Sequence, residues 1–258
     1  MMKNAMDLLR TKVDVIQCGI PTYFDNYIRG CIVGERYEEI DKYLRIMTGE
    51  RYEKYSKDYF EQVTYEEAMF FNKSQGVTRC MGWMGDLLFK SAFDFMIYTD
   101  LLWNVKPGLI MEFGSGNQSS AKWMASLCAM YNVDTKIISI DVNNSNETKE
   151  NIDFIQQDCL ALGAVEEIFD NLPRNKSPVL IIDDMHVCTM AIVKQSERFM
   201  KPGDYLYIED AMRKHKELQE YFVSNPLSKL RLDNHYMHFF GNGICKKSSI
   251  IFTLPSKD

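Results

Sequence analysis

Met111-Glu112-Phe113-Gly114-Ser115-Gly116-Asn117-Gln118-Ser119-Ser120 follows a short apolar run at 109–113 and opens a segment of helical composition. Glycine has no Cβ, so the backbone can turn sharply at Gly114 and Gly116 and come close to a ligand. Strand, glycine turn and helix, in that order, form the opening unit of an open α/β sheet.

The flanks extend this pattern. Upstream, Phe93, Met96, Ile97, Leu101 and Leu102 recur at helical spacing until Lys106-Pro107-Gly108 stops the helix. Downstream, apolar runs at 136–140, 152–155, 178–182 and 205–208 alternate with helical segments, which predicts a parallel sheet covered on both faces. The ending differs. Two β-rich runs, 229–240 and 249–254, are joined by Gly241-Asn242-Gly243 and a basic turn, with no room for a crossover helix. The expected fold class is therefore α/β, a Rossmann-like class I methyltransferase whose parallel sheet is closed by a C-terminal antiparallel hairpin. A dehydrogenase domain would continue with parallel units instead.

Bulk properties narrow the partners. The 258 residues suit one α/β domain with an added part, divided here into an aromatic-rich helical cap (1–84) and a cofactor-binding domain (85–258). The cap's rings suit core packing or a subunit interface, and a homo-oligomer is expected; acceptor specificity is also assigned to this region. No apolar run approaches the roughly 20 residues that span a bilayer. The N-terminus reads as neither signal peptide nor anchor, and seven cysteines without a CxxC pair suit a reducing compartment, so the chain is expected to be soluble, cytoplasmic and without a membrane partner. A net charge of -6 opposes nucleic acid as a partner. The run Arg213-Lys214-His215-Lys216 reads as a solvated face.

Acids after successive strands carry the chemistry. Asp141 ends the second strand, 25 residues past Gly116, where a carboxylate binds the hydroxyls of an adenosine ribose. Both NAD and S-adenosylmethionine contain that ribose, and Glu112 separates them: a carboxylate beside the turn repels a pyrophosphate but favours an ammonium and a sulfonium. Ser119 stands where a third fingerprint glycine would be. S-adenosylmethionine is thus the expected cofactor, with Glu112, Gly114, Gly116, Ser120, Asp141, Asp158 near its adenine, and Asp183 as its binding residues. A structural turn with incidental acids is the plain alternative.

Ile182-Asp183-Asp184-Met185-His186 and Tyr207-Ile208-Glu209-Asp210 end the fourth and fifth strands, whose carboxyl edge faces the ligand crevice. Asp183, Glu209 and Asp210 would repel one another unless protonated or bound to a cation, and an all-oxygen set suits Mg²⁺ or another hard divalent ion. His186 is placed to take the proton of a substrate hydroxyl. Either acidic pair could instead cap the helix that follows it.

These motifs resemble the cephalosporin hydroxylase family, which includes metal-dependent O-methyltransferases of macrolide sugars. The likeness spans about residues 80–240. It rests on the Phe93-Asp94 to Tyr98 helix, Leu102-Trp103-Asn104-Val105-Lys106-Pro107, Glu112-Phe113-Gly114, Asp183-x-x-His186, and Pro202-Gly203 leading into Glu209-Asp210. The resemblance implies that Asp183, Glu209 and Asp210 are magnesium ligands, that His186 is the base, and that the acceptor is a hydroxyl of a small natural-product sugar or polyketide. Metal-independent methyl transfer to carbon or nitrogen, and a non-catalytic cofactor-binding module, are the competing functions.

Overall fold

The computed structural model describes residues 51–55, 82–143, 150–173, 175–237 and 249–255. The chain divides into units 1–49 and 50–258, and every described residue lies in the second. The helical cap, apart from 51–55 and 82–84, and the Gly241-Asn242-Gly243 turn lie outside the described residues.

In chain order the described elements are β1 (Tyr52–Glu53), β2 (Gly82–Trp83), β3 (Asp86–Leu87), α1 (Ala92–Val105), β4 (Leu109–Phe113), α2 (Ser119–Met130), β5 (Lys136–Asp141), β6 (Ile152–Gln156), α3 (Ala164–Asp170), β7 (Val179–Asp183), α4 (Thr189–Phe199), β8 (Tyr205–Glu209), α5 (Ala211–Ser224), β9 (Arg231–Asp233), α6 (Asn234–Met237) and β10 (Ser249–Thr253). Helix α1 begins with a capping box, in which Ser91 and Asp94 satisfy each other's backbone N–H, and it ends at left-handed Lys106 just before Pro107. Pro107 cannot continue the helix, as the sequence predicts.

Eight strands form one sheet in the order β1-β9-β10-β8-β7-β4-β5-β6. The stretch β6-β5-β4-β7-β8 is parallel. From β4 the chain winds outward to β5 and β6, then crosses back to β7 on the other side of β4. That reversal is a topological switch point between β4 and β7, at whose carboxyl edge an open α/β sheet characteristically binds its ligand. Strands β4, β7 and β8 are buried along their whole length, and apart from their acids they are apolar, as strands covered on both faces must be. Tyr98 of α1 stacks on Tyr207 of β8 with ring centroids 4.3 Å apart, which seats α1 against the sheet.

The terminal antiparallel pair exists, but its first arm is shorter than expected. β10 pairs with β8 over five residues and with β9 only through Leu232 and Arg231. Strand β9 stops at Asp233, whose buried carboxylate accepts from Arg51 Nε (3.2 Å), Tyr205 Oη (2.8 Å) and the His235 backbone N–H (3.1 Å). The last of these turns the chain into α6, a side-chain bond that competes with ladder pairing. Strands β5, β7 and β8 each run one residue further than expected, so Asp141, Asp183 and Glu209 are terminal ladder residues. Among the described residues no helix is long and apolar enough to cross a membrane.

Candidate active site

The glycine turn is locked to both neighbouring strands. Gly114 N–H donates to Ile140 O (2.8 Å), and Asp184 N–H donates to Phe113 O (2.9 Å). Gly114 has φ +85°, and a Cβ there would meet the Asp184 carbonyl and Met185 Cγ at 2.9 Å, so only glycine lets the segment after β7 lie on the turn. Gly116 N–H donates to Asp141 Oδ2 (2.8 Å), while Asp141 Oδ1 accepts from the backbone and side-chain N–H groups of Asn143 (both 2.9 Å). The structure therefore joins the turn and the acid that ends β5 directly. Asn117 reaches the other way and donates to Leu87 O at 2.7 Å. Asp158 is exposed beyond β6 and accepts from Leu160 N–H (2.9 Å).

Glu112 is fully buried, and no hydrogen bond of ordinary geometry reaches either of its oxygens. Burial pushes its carboxyl up to about 7, against the pull of the Lys90 ammonium and the hydroxyl of buried Ser120. A cationic ligand reaching this side chain would favour its ionised form.

The acids ending β7 and β8 are not gathered into one cluster. Asp183 is in register with Phe113 and Ile208, so alternation places Glu112 and Glu209 on the opposite face of the sheet. Glu209 Oε1 accepts from Lys90 Nζ (2.6 Å) and Tyr98 Oη (2.5 Å) on the α1 side, and the same ammonium donates to Asp184 Oδ2 (2.7 Å). On the α5 side, Lys214 Nζ donates to Asp183 O (2.8 Å) and lies 3.1 Å from Asp183 Oδ1. Among the described residues no group of three or more His, Cys, Asp or Glu side chains is arranged to hold a metal ion. The donor types, all carboxylate oxygens, are those a hard ion takes: no hydrogen bond of ordinary geometry reaches buried Asp183 Oδ2, beside the Thr189 hydroxyl, and the hydrogen bonds that reach Glu209 end on Oε1 alone.

Burial raises the Asp183 carboxyl against the attraction of Lys214. Burial and the nearby Asp184 charge hold Glu209 well above the usual carboxylate range, against Lys90. For Lys90 itself burial opposes the charge, but Asp184, Glu209 and Glu112 overcome it and keep the ammonium well above the ordinary lysine value.

Capping does not explain these acids. Cys188, not Asp183 or Asp184, is the N-cap of α4, and Asp210 at the N-cap of α5 makes no side-chain capping bond. Asp210 is instead left-handed (φ 47°), and its carboxylate lies 3.5 Å from His186 Nδ1 on a half-exposed ring. His186 and Asp210 are therefore brought together.

Sequence reading missed the two lysines. Lys90 precedes the capping box, and a lone lysine there carries no signal. Lys214 belongs to a run that reads as solvated, yet it is only 2% exposed. Helical spacing supplies the reason: Lys214 and Leu218 lie one turn apart on the buried face of α5, while Arg213 and Lys216 point to solvent.

Comparison with known proteins places the chain in a family and a fold. The family model described as Rhamnosyl O-methyltransferase/CmcI matches residues 75–228, more than half of the chain. The rhamnosyl O-methyltransferase of Mycobacterium leprae (strain TN) is 28% identical over 138 residues, covering 50% of this chain and 59% of that protein. The chain thus spans under two thirds of the length of this curated relative. Among solved structures, CmcI with Mg and SAM is 21% identical, covers 81% of this chain and 94% of its own, and has a TM-score of 0.56. An apo structure of CmcI is 20% identical, covers 84% and 95%, and has a TM-score of 0.57. At these identities the two structures establish the class I methyltransferase fold.

Proposed function

The chain belongs to the Rhamnosyl O-methyltransferase/CmcI family, and from that premise we propose that it transfers a methyl group from S-adenosylmethionine to a hydroxyl of a small molecule of the natural-product sugar or polyketide type. The observation that carries this reading is the bond from Gly116 N–H to Asp141, beside a buried Glu112 at the sheet's switch point. Asp141 would take the ribose hydroxyls, Asp158 would face the adenine, and the turn around Gly114, Gly116 and Ser120 would pass beneath the donor. When bound, S-adenosylmethionine supplies the methyl carbon: its S–CH₃ bond breaks as the acceptor oxygen forms the new C–O bond, and the electron pair stays on sulfur.

His186 accepts the hydroxyl proton. Asp210, beside Nδ1, orients the ring. Asp183, Glu209 and Asp210 are the residues that would hold a Mg²⁺ or similar ion, which would supply Lewis-acid activation of the acceptor hydroxyl. Asp183 Oδ2, which no hydrogen bond of ordinary geometry reaches, supports this assignment. A metal-independent transferase is the second reading, favoured by Lys90 and Lys214 as internal counter-charges for the same acids.

Isothermal titration with S-adenosylhomocysteine tests the donor site: Asp141→Ala should weaken binding by about tenfold or more, losing charge-assisted hydrogen bonds. Unchanged affinity would remove Asp141 from the donor site. Methyl transfer should fall on chelation and return with Mg²⁺, whereas activity indifferent to chelator selects the second reading.

A further inference from the structure

Glu112 has no exposed surface, and neither of its oxygens receives a hydrogen bond of ordinary geometry. The hydroxyls nearest it in the ladder and the turn are in the same condition. Ser139 is its register partner on β5, and Ser115 and Ser119 belong to the glycine turn; all three are buried, and their hydroxyls make no ordinary hydrogen bond among the described residues. The groups whose charge or hydroxyl bears on Glu112 come from four segments: Lys90 ahead of α1, Asp184 after β7, Asp141 at the end of β5, and the Ser120 hydroxyl on α2. Lys90, the cation of this set, spends its N–H donors on Asp184 (2.7 Å) and Glu209 (2.6 Å). A buried carboxyl with two negative neighbours and so little donation keeps its proton until more positive charge arrives. Its value of about 7 puts that exchange near neutral pH.

We propose that Glu112 is a charge-sensing specificity residue for the methyl donor: it holds a proton in the empty site, releases it to solvent when the donor's ammonium and sulfonium enter, and regains it once methyl transfer has removed the sulfonium charge. The inference rests on the donor reading above. Glu112 need not touch the donor, because charges attract across a desolvated turn. Donor and product differ by one positive charge, so the ionised carboxylate favours S-adenosylmethionine over S-adenosylhomocysteine and lets the product leave. The protons balance: the carboxyl O–H breaks on donor entry and re-forms on product exit, and the acceptor's own proton leaves through His186.

Calorimetric titration of the full chain in two buffers of different ionisation enthalpy counts the protons. At pH 6 S-adenosylmethionine should release nearly one proton, and its affinity should fall roughly tenfold between pH 7.5 and pH 6. S-adenosylhomocysteine should release clearly less. Glu112→Gln should abolish the release and flatten the pH dependence, whereas His186→Ala should keep both. The inference is overturned by no release in the wild type, by equal release with donor and product, by release that survives Glu112→Gln, or by release that vanishes in His186→Ala. No donor binding at either pH overturns the donor reading itself, and this inference with it. Should Glu112→Gln not fold, ¹³C-carboxyl glutamate spectra of the wild type carry the test. A buried carboxyl that titrates near neutral pH should cease to titrate there on saturation with S-adenosylmethionine, and titrations unchanged by the donor overturn the inference.

Discussion

His186 lies beside Asp210, a left-handed residue that makes no side-chain capping bond at the start of α5. A non-glycine residue in that region costs on the order of 1 kcal/mol, a strain typical of sites held for function. His186→Ala should lower kcat about 100-fold or more while leaving S-adenosylhomocysteine affinity unchanged, the usual range for loss of a general base. Parallel loss of donor affinity would place His186 in the binding site instead. Glu112 makes a pH prediction. Its value rises from an ordinary 4.5 to about 7 on folding, so the folded state favours the protonated form. The stability tied to Glu112 is therefore full below about pH 4.5 and is lost as pH rises through 7, by on the order of 3 kcal/mol. Urea denaturation of wild type and Glu112→Gln across pH 4.5–8 should show the fall in the wild type and a flatter profile in the variant. Equal slopes would mean that Glu112 is solvated.

At the scale of elements, the connections at the carboxyl edge position the site. Gln118, Cys188 and Asp210 are all left-handed N-caps that turn the chain into α2, α4 and α5, with α5 following its strand directly after Asp210 and α2 and α4 following longer turns. Gly114 and Gly116 make a matched pair for testing this edge. A methyl at Gly114 meets the Asp184 carbonyl at 2.9 Å, whereas one at Gly116 meets nothing within 4 Å, although φ is positive at both. Gly116→Ala should cost about 1 kcal/mol from backbone strain alone, and Gly114→Ala clearly more, because the Asp184 segment must move. Thermal melts that rank them equally would show that the contact on Gly114 yields freely. The strands and the stop of α1 were legible because burial on both faces forces apolar runs and proline ends a helix. The break after β9 was not, since it depends on Asp233 finding Arg51 and Tyr205, residues 182 and 28 positions away.

For the whole molecule, donor binding should appear as global stability. At about 100 times its Kd, S-adenosylhomocysteine should add about 2.7 kcal/mol, which is several degrees in melting temperature for a domain of this size; no shift at saturation would favour a fold retained without donor binding. The α/β class and the strand-end positions of Asp141, Asp183 and Glu209 could be read from order and spacing along the chain, because hydrophobic period and glycine placement are local properties, whereas the strand order with its switch point came from the tertiary structure. The tertiary structure alone decided which acids share a face, that His186 reaches Asp210, and that Lys90 and Lys214 enter the core to meet Glu209 and Asp183. A buried charge is placed by the partners that offset its desolvation, and those partners come from segments far apart in the chain.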